Sequence, residues 1–169
     1  LLELGWPSMA VRTSGRLLEL APAENGAYYT LHAANLRHLE RYDEQIRTLE
    51  AGLEALPQAG LVHGQYCWYG TLFEAVVPVD AARVDASCDA AIEMAREDRL
   101  RGIALARRAM RRAHVDGDFP GAEEDMAEAF AQWEAGRIRV ARMPYPWATW
   151  RAAIEAGRDP LAGDGVVRE

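Results

Sequence analysis

The chain has 169 residues, half of them hydrophobic and 27% charged, which suits a single globular domain with a substantial core. Its formal net charge of −7 opposes general binding to nucleic acid or anionic membrane, both of which reward excess positive charge. No apolar run approaches the roughly 20 residues that span a bilayer, and no basic-then-apolar leader opens the sequence.

The expectation is therefore a cytoplasmic chain. Its start at Leu1 already reads as structured, so residues upstream of it are expected. All 19 basic residues are arginine. The two cysteines, Cys67 and Cys88, lie 21 residues apart with no CxxC or Cys/His ligand spacing. Buried, reduced thiols acting as small hydrophobes are expected for both.

In chain order, a first apolar stretch closes at "LLELAP" (Leu17–Pro22), and a break follows near Pro22–Gly26. Tyr42, Ile46, Leu49, Leu53 and Leu56 then fall on one helical stripe, which closes at "GLEALP" (Gly52–Pro57). "QYCWYGTLFEAVV" (Gln65–Val77) has some strand propensity, but a lone strand has nothing to pair with. Ala82–Ala95 and Leu100–Ala113 are Ala-rich, with Ile, Met and Leu at helical spacing. Ala122, Met126, Ala129, Phe130 and Trp133 form the last clear stripe.

Further breaks near Leu39–Arg41, Pro57–Gly60, Pro78–Asp80, Arg96–Asp98 and Asp116–Pro120 predict roughly seven helices of about 12 to 17 residues joined by short turns. Asp80, Asp98 and Asp118 are candidate N-caps. In the tail "RMPYPWATWRAAIEAG" (Arg142–Gly157) two prolines forbid helix through Met143–Pro146. A helix restarting near Trp147 would place Trp147, Trp150 and Ile154 on one face, as a cap over the last hairpin requires. The organisation expected is a helical domain over 1–142 and a capping helix with a frayed end over 143–169.

The two similar closures belong to a repeat. Tyr42 is followed ten residues later by small Gly52 and then Leu53. The same offset joins Ala81 to Ala91 and Phe119 to Ala129, and a degenerate copy joins Pro7 to Leu17. A small residue recurs where two helices approach closely, and stacked hairpins share a core that none buries alone.

This pattern resembles the tetratricopeptide repeat family, whose unit is a 34-residue helical hairpin. The best copy is Gly26–Gln58, through Tyr29, Ala33, Leu36, Tyr42, Leu49, Gly52 and Pro57. It departs at His32, where Leu is expected, and at Gln45, where Ala is expected. A second copy near Ile103–Ala135 matches through Gly117, Phe119, Ala122, Met126 and Ala129. A middle copy near Leu61–Ala95 has extra residues at Val76–Asp80, which leave its first-helix register open. More distantly, the chain resembles helical sensor regions of large actinobacterial ATP-dependent transcription regulators.

The resemblance implies an all-α, right-handed stack of about three antiparallel hairpins. It implies protein or peptide binding in a concave groove, without catalysis. The alternative is a sensor or regulatory segment of a larger signalling protein. No cofactor, metal or direct nucleic-acid partner is implied.

The residues carry little catalytic pattern: GxGxxG, GxxxxGK[ST], GxSxG and HExxH are all missing. His32 and His38 are six apart and point about 240° away from each other on a helix. One cluster is basic. "RLRGIALARRAMRRAH" sets Arg107, Arg111 and His114 on one edge, and the resemblance maps Arg107 and Arg111 to the groove, where guanidinium forks would suit an acidic peptide. Pairing with Glu97, Asp98, Glu123, Glu124 and Glu128 on adjacent helices is the other possibility.

In the best hairpin the groove positions are Thr30, Ala34 and Arg37, with His38 nearby. They lack the Asn/Lys set of a carboxylate clamp. Tyr66, Trp68, Tyr69 and Phe73 either line the groove as anchors or fill the core between hairpins. The candidate partner-binding residues are thus Arg37, His38, Tyr66, Tyr69, Arg107, Arg111 and His114.

Overall fold

A computed structural model describes residues 6–22, 24–135 and 156. Among them it contains seven α-helices and no strand. The helices are α1 (Pro7–Leu20), α2 (Gly26–Arg37), α3 (Tyr42–Ala55), α4 (Gly60–Phe73), α5 (Ala81–Glu93), α6 (Asp98–Arg111) and α7 (Phe119–Ala135). The strand-prone stretch is therefore helical, as α4. The expected capping tail with Trp147, Trp150 and Ile154 lies outside the described residues.

Helix boundaries follow local chemistry. Asn25 caps α2 by accepting the Ala27 N–H, and Asp80 caps α5 by accepting the Arg83 N–H. Asp118 accepts the Gly121 N–H at the start of α7. Asp98 does not cap: it is the first residue of α6 and follows Glu97, whose side chain makes no capping bond. A π-helical turn, Arg112–Asp116, extends α6 and ends at Gly117 (φ +68°), a left-handed conformation that glycine adopts without a Cβ penalty.

The chain divides into two compact units between Ala95 and Arg96. In the first, each helix runs antiparallel to the next. Ala10 and Ser14 of α1 meet Asn35 and His32 of α2, and Gly52 near the end of α3 meets Tyr29 near the start of α2. Gly60 and Gly70 of α4 meet Met94 and Val84 beside and within α5. Gly26 lies against Val62, while Arg37 reaches Tyr69. Helices α2 and α4 therefore run parallel, side by side, with α3 returning between them.

The core of this unit is built from Tyr29, Ala33, Ile46, Leu49, Val62, Tyr66 and Val84, with Cys67 and Cys88 among them. The cysteines form a disulfide joining α4 to α5. This corrects the expectation of two free thiols: close packing of α4 on α5 brings their Cα atoms to 4.9 Å, within bridging range. In the second unit α6 and α7 are antiparallel, and Ala104, Leu105, Ala109, Ala122, Met126 and Ala129 are buried.

Two predictions follow from this packing. A Cβ on Gly52 would sit 2.8 Å from Cγ of Tyr29, a rigid part of that side chain, so Gly52→Ala should cost about 1–3 kcal/mol. A urea midpoint unchanged by the substitution would contradict the close crossing. Opening the 21-residue disulfide loop should cost about 3 kcal/mol. The check is the urea midpoint of the intact chain with and without a thiol reductant at equilibrium.

Candidate functional site

Helix α4 is apolar nearly all round, and its surroundings decide which face stays open. Val62, Tyr66, Cys67, Tyr69 and Gly70 are buried against α2, α3 and α5. Leu61 is exposed, and Gln65, Trp68 and Leu72, which follow it at spacing 4, 7 and 11, are half-buried, as are His63 and Phe73; Trp68, Leu72 and Phe73 also pack against the core. Midway along α4, Gln65 Oε1 has no hydrogen-bond partner among the described residues.

Arg37, from the end of α2, borders this helix. Its guanidinium lies 5.7 Å from the centroid of the Tyr69 ring, close enough for a cation–π contact. Tyr69 stacks on Phe73 at 6.0 Å, and Phe73 stacks on Tyr42 of α3 at 4.4 Å. A ladder of three rings across α4 and α3 thus ends in a half-exposed cation. His38, one residue further on, is exposed.

The other sequence candidates fare differently. Tyr66 is fully buried. Its hydroxyl donates to Glu50 Oε1 at 2.9 Å, and Arg83 lies 5.8 Å from its ring centroid. Burial and the Glu50 carboxylate both push the Tyr66 pKa up. Tyr69 is buried too. Neither tyrosine is a surface anchor; both pack the core, because the α4 register turns them inward and leaves Trp68 half-buried. A helix apolar on every side gives no periodic cue to that register.

In the second unit Arg111 is 2% exposed, so it cannot offer an open guanidinium to a groove, contrary to expectation. Arg107 and His114 are half-buried, and none of the three is without an interaction inside the protein. Neighbouring arginines are held by acidic residues of α7. Arg108 forms a two-pronged pair with buried Asp125, through Nε at 2.9 Å and Nη2 at 2.6 Å. Arg112 Nη1 approaches the same carboxylate at 3.2 Å and donates to the Gly121 carbonyl at 3.0 Å. Arg101 pairs with Glu128 at 2.9 Å. The basic cluster is thus largely a seam between α6 and α7.

A polar cluster lies between α1 and α2. Asn35 Nδ2 donates to Ser14 Oγ at 2.9 Å and to the Ala10 carbonyl at 3.2 Å. Ser14 Oγ donates to the Ala10 carbonyl at 2.8 Å and lies 2.8 Å from His32 Nδ1. Ser14 has one hydrogen; with that hydrogen on Ala10, the Nδ1–H tautomer of His32 completes the set. The serine is buried, and its hydroxyl ties α1 to α2. Among the described residues no three His, Cys, Asp or Glu side chains are grouped to hold a metal, and no helix is long and apolar enough to cross a membrane.

Compared with known proteins, this chain matches no family model, no curated protein and no solved structure.

His32 gives this unit a pH dependence. Burial, and then the Arg41 charge, lower its pKa below 6.5, with Glu44 opposing weakly. The folded chain therefore resists protonation that the unfolded chain accepts. The associated stability is fully present above about pH 6.5 and is lost as the pH falls from there through the depressed folded value. Thermal melts at pH 7.5 and 5.5 should show a drop that is smaller in His32→Asn; equal drops in both would assign the effect to other groups.

Proposed function

We propose that this chain is a non-catalytic, tetratricopeptide-like binding scaffold whose α2–α4 face holds a peptide segment of a protein partner. The observation that carries the reading is the parallel pair α2 and α4, on which exposed Leu61 and half-buried Trp68 and Leu72 leave apolar surface partly in solvent. Trp68 and Leu72 pack in part against the core, and the apolar surface that they and Leu61 leave in solvent would shelter a partner's apolar side chains. Arg37, braced on Tyr69, adds a fixed cation at the border and favours an acidic residue next to the apolar ones.

This placement moves the proposed contact away from Tyr66, Tyr69 and Arg111 and onto Leu61, Trp68, Leu72 and Arg37. His38 stays beside it as a second polar group.

A displayed library of random peptides, selected on the intact chain, tests the reading. Enriched peptides should combine apolar and acidic residues. Trp68→Ala should weaken them by about 2 kcal/mol, near thirtyfold, and Arg37→Glu should also weaken them, while Arg101→Gln on α6 should leave binding unchanged. Selected peptides that bind the Trp68 and Arg37 variants as well as the parent would remove this face from the proposal.

A further inference from the structure

Helix α1 is held by a single neighbour: among the described residues it packs to any extent on α2 alone. It buries only Ala10, Val11 and Ser14, with Leu18 half-buried, while Met9, Leu17 and Leu20 form an apolar stripe left in solvent. None of its residues belongs to the fully buried core of the unit, and the Cys67–Cys88 bond joins α4 to α5 without it. A lone helix of 14 residues is marginal in water, so α1 keeps its form through the contact with α2.

That contact is polar at its centre. Ser14 Oγ lies 2.8 Å from His32 Nδ1, and Asn35 Nδ2 donates to Ser14 Oγ and to the Ala10 carbonyl. A Cβ at Gly15 would lie 3.3 Å from His32 Cε1, so the half-buried imidazole rests against the α1 backbone. The charges that act on it come from the start of α3, Arg41 and Glu44. Arg41 donates to the Glu44 carboxylate through both Nε and Nη2, so the anion that acts on the ring is already shared with an arginine. On α2 itself Arg37 is turned to Tyr69. The charged residues of α1, Arg12, Arg16 and Glu19, are exposed, and Arg16 is paired with Glu19.

A neutral imidazole suits this site. Protonation adds a second N–H, at Nε2, and a full charge to a ring that docking has partly stripped of water. Arg41 repels that charge more than Glu44 attracts it. Release of α1 returns the ring to water, where the charge is solvated and the repulsion screened. We propose that α1 is an acid-released arm, with His32 as its latch: neutral when α1 is docked on α2, and protonated when α1 swings free on the link that carries Pro22 and Asn25, while α2 to α5 stay folded.

The test is hydrogen–deuterium exchange of the whole chain at pH 7.5 and 5.5, read by mass spectrometry with labelling times scaled for the intrinsic pH dependence of exchange. One proton, taken up by a released ring of ordinary pKa 6.5, can shift the docking equilibrium by no more than about tenfold over that interval. Amides of α1 should therefore lose protection severalfold in acid, while those of α3, α4 and α5 keep theirs. His32→Gln lacks the proton but can still donate to Ser14, so its α1 protection should be the same at both pH values. Arg41→Gln removes the repulsion from an exposed position and frees Glu44 for the imidazolium, so the acid loss should shrink. This second variant decides the matter if His32→Gln leaves α1 unprotected throughout. Three results would overturn the proposal: an acid loss that both variants retain in full, a loss spread equally over α1 and α3 to α5, or parent α1 protection unchanged between the two pH values.

Discussion

The first unit depends on how closely its helices approach one another. At Gly52 the backbone of α3 lies where a Cβ would press into Tyr29, and at Gly70 the backbone of α4 lies where a Cβ would sit 2.5 Å from Val84. Both crossings put a glycine under a bulky side chain of the neighbouring helix. The bulky residue thereby fills a groove instead of separating two ridges. Close approach at α4–α5 in turn brings Cys67 and Cys88 within bonding distance, and close approach at α2–α3 leaves room for α4 to lie directly against α2. The parallel pairing of α2 and α4 follows from α3 running antiparallel to both.

The helices and their breaks were legible in the sequence because apolar spacing and Pro/Gly punctuation act locally. Gly52 was legible as a close-approach position because a small residue recurs at a fixed offset from a helix start. Three features were not. The facing of α4 was hidden because Tyr66, Trp68 and Tyr69 sit in a helix with apolar residues on every side, where periodicity does not distinguish inward from outward. The disulfide was hidden because a 21-residue separation has no ligand or redox spacing; only packing brings the sulfurs together. Arg111 was misplaced because four-residue spacing shows that it shares an edge with Arg107 but not whether that edge meets solvent. The neighbouring Arg108 and Arg112, which converge on Asp125, show what α7 selects: a carboxylate two turns into the helix draws in the arginines that can reach it.

Departures from the repeat pattern concentrate polar groups inside the first unit. His32, where a leucine was expected, is held to α1 by Ser14, and Asn35 joins them. These groups are satisfied, so the α1–α2 contact gains directionality that an apolar pair would lack. Gln45, where an alanine was expected, is fully buried, and neither of its amide atoms has a hydrogen-bond partner among the described residues. Burial of that kind costs on the order of 1–3 kcal/mol per group. The α2–α3 crossing therefore carries a cost that the apolar packing of Leu36, Ile46 and Leu49 must offset.

These features bear on how the two exposed apolar faces can coexist. The α1 stripe and the α4 stripe lie on different helices, but both are held by α2: the first through the Ser14–His32–Asn35 cluster, the second through Arg37 on Tyr69. Each face is thus fixed in orientation by side-chain contacts and not merely by chain connectivity. Their characters differ. Helix α4 has an arginine, Arg37, against its Tyr69 ring. The α1 stripe is flanked by charges that are partly neutralised within the helix. His32 belongs to the α1 contact and not to the α4 stripe.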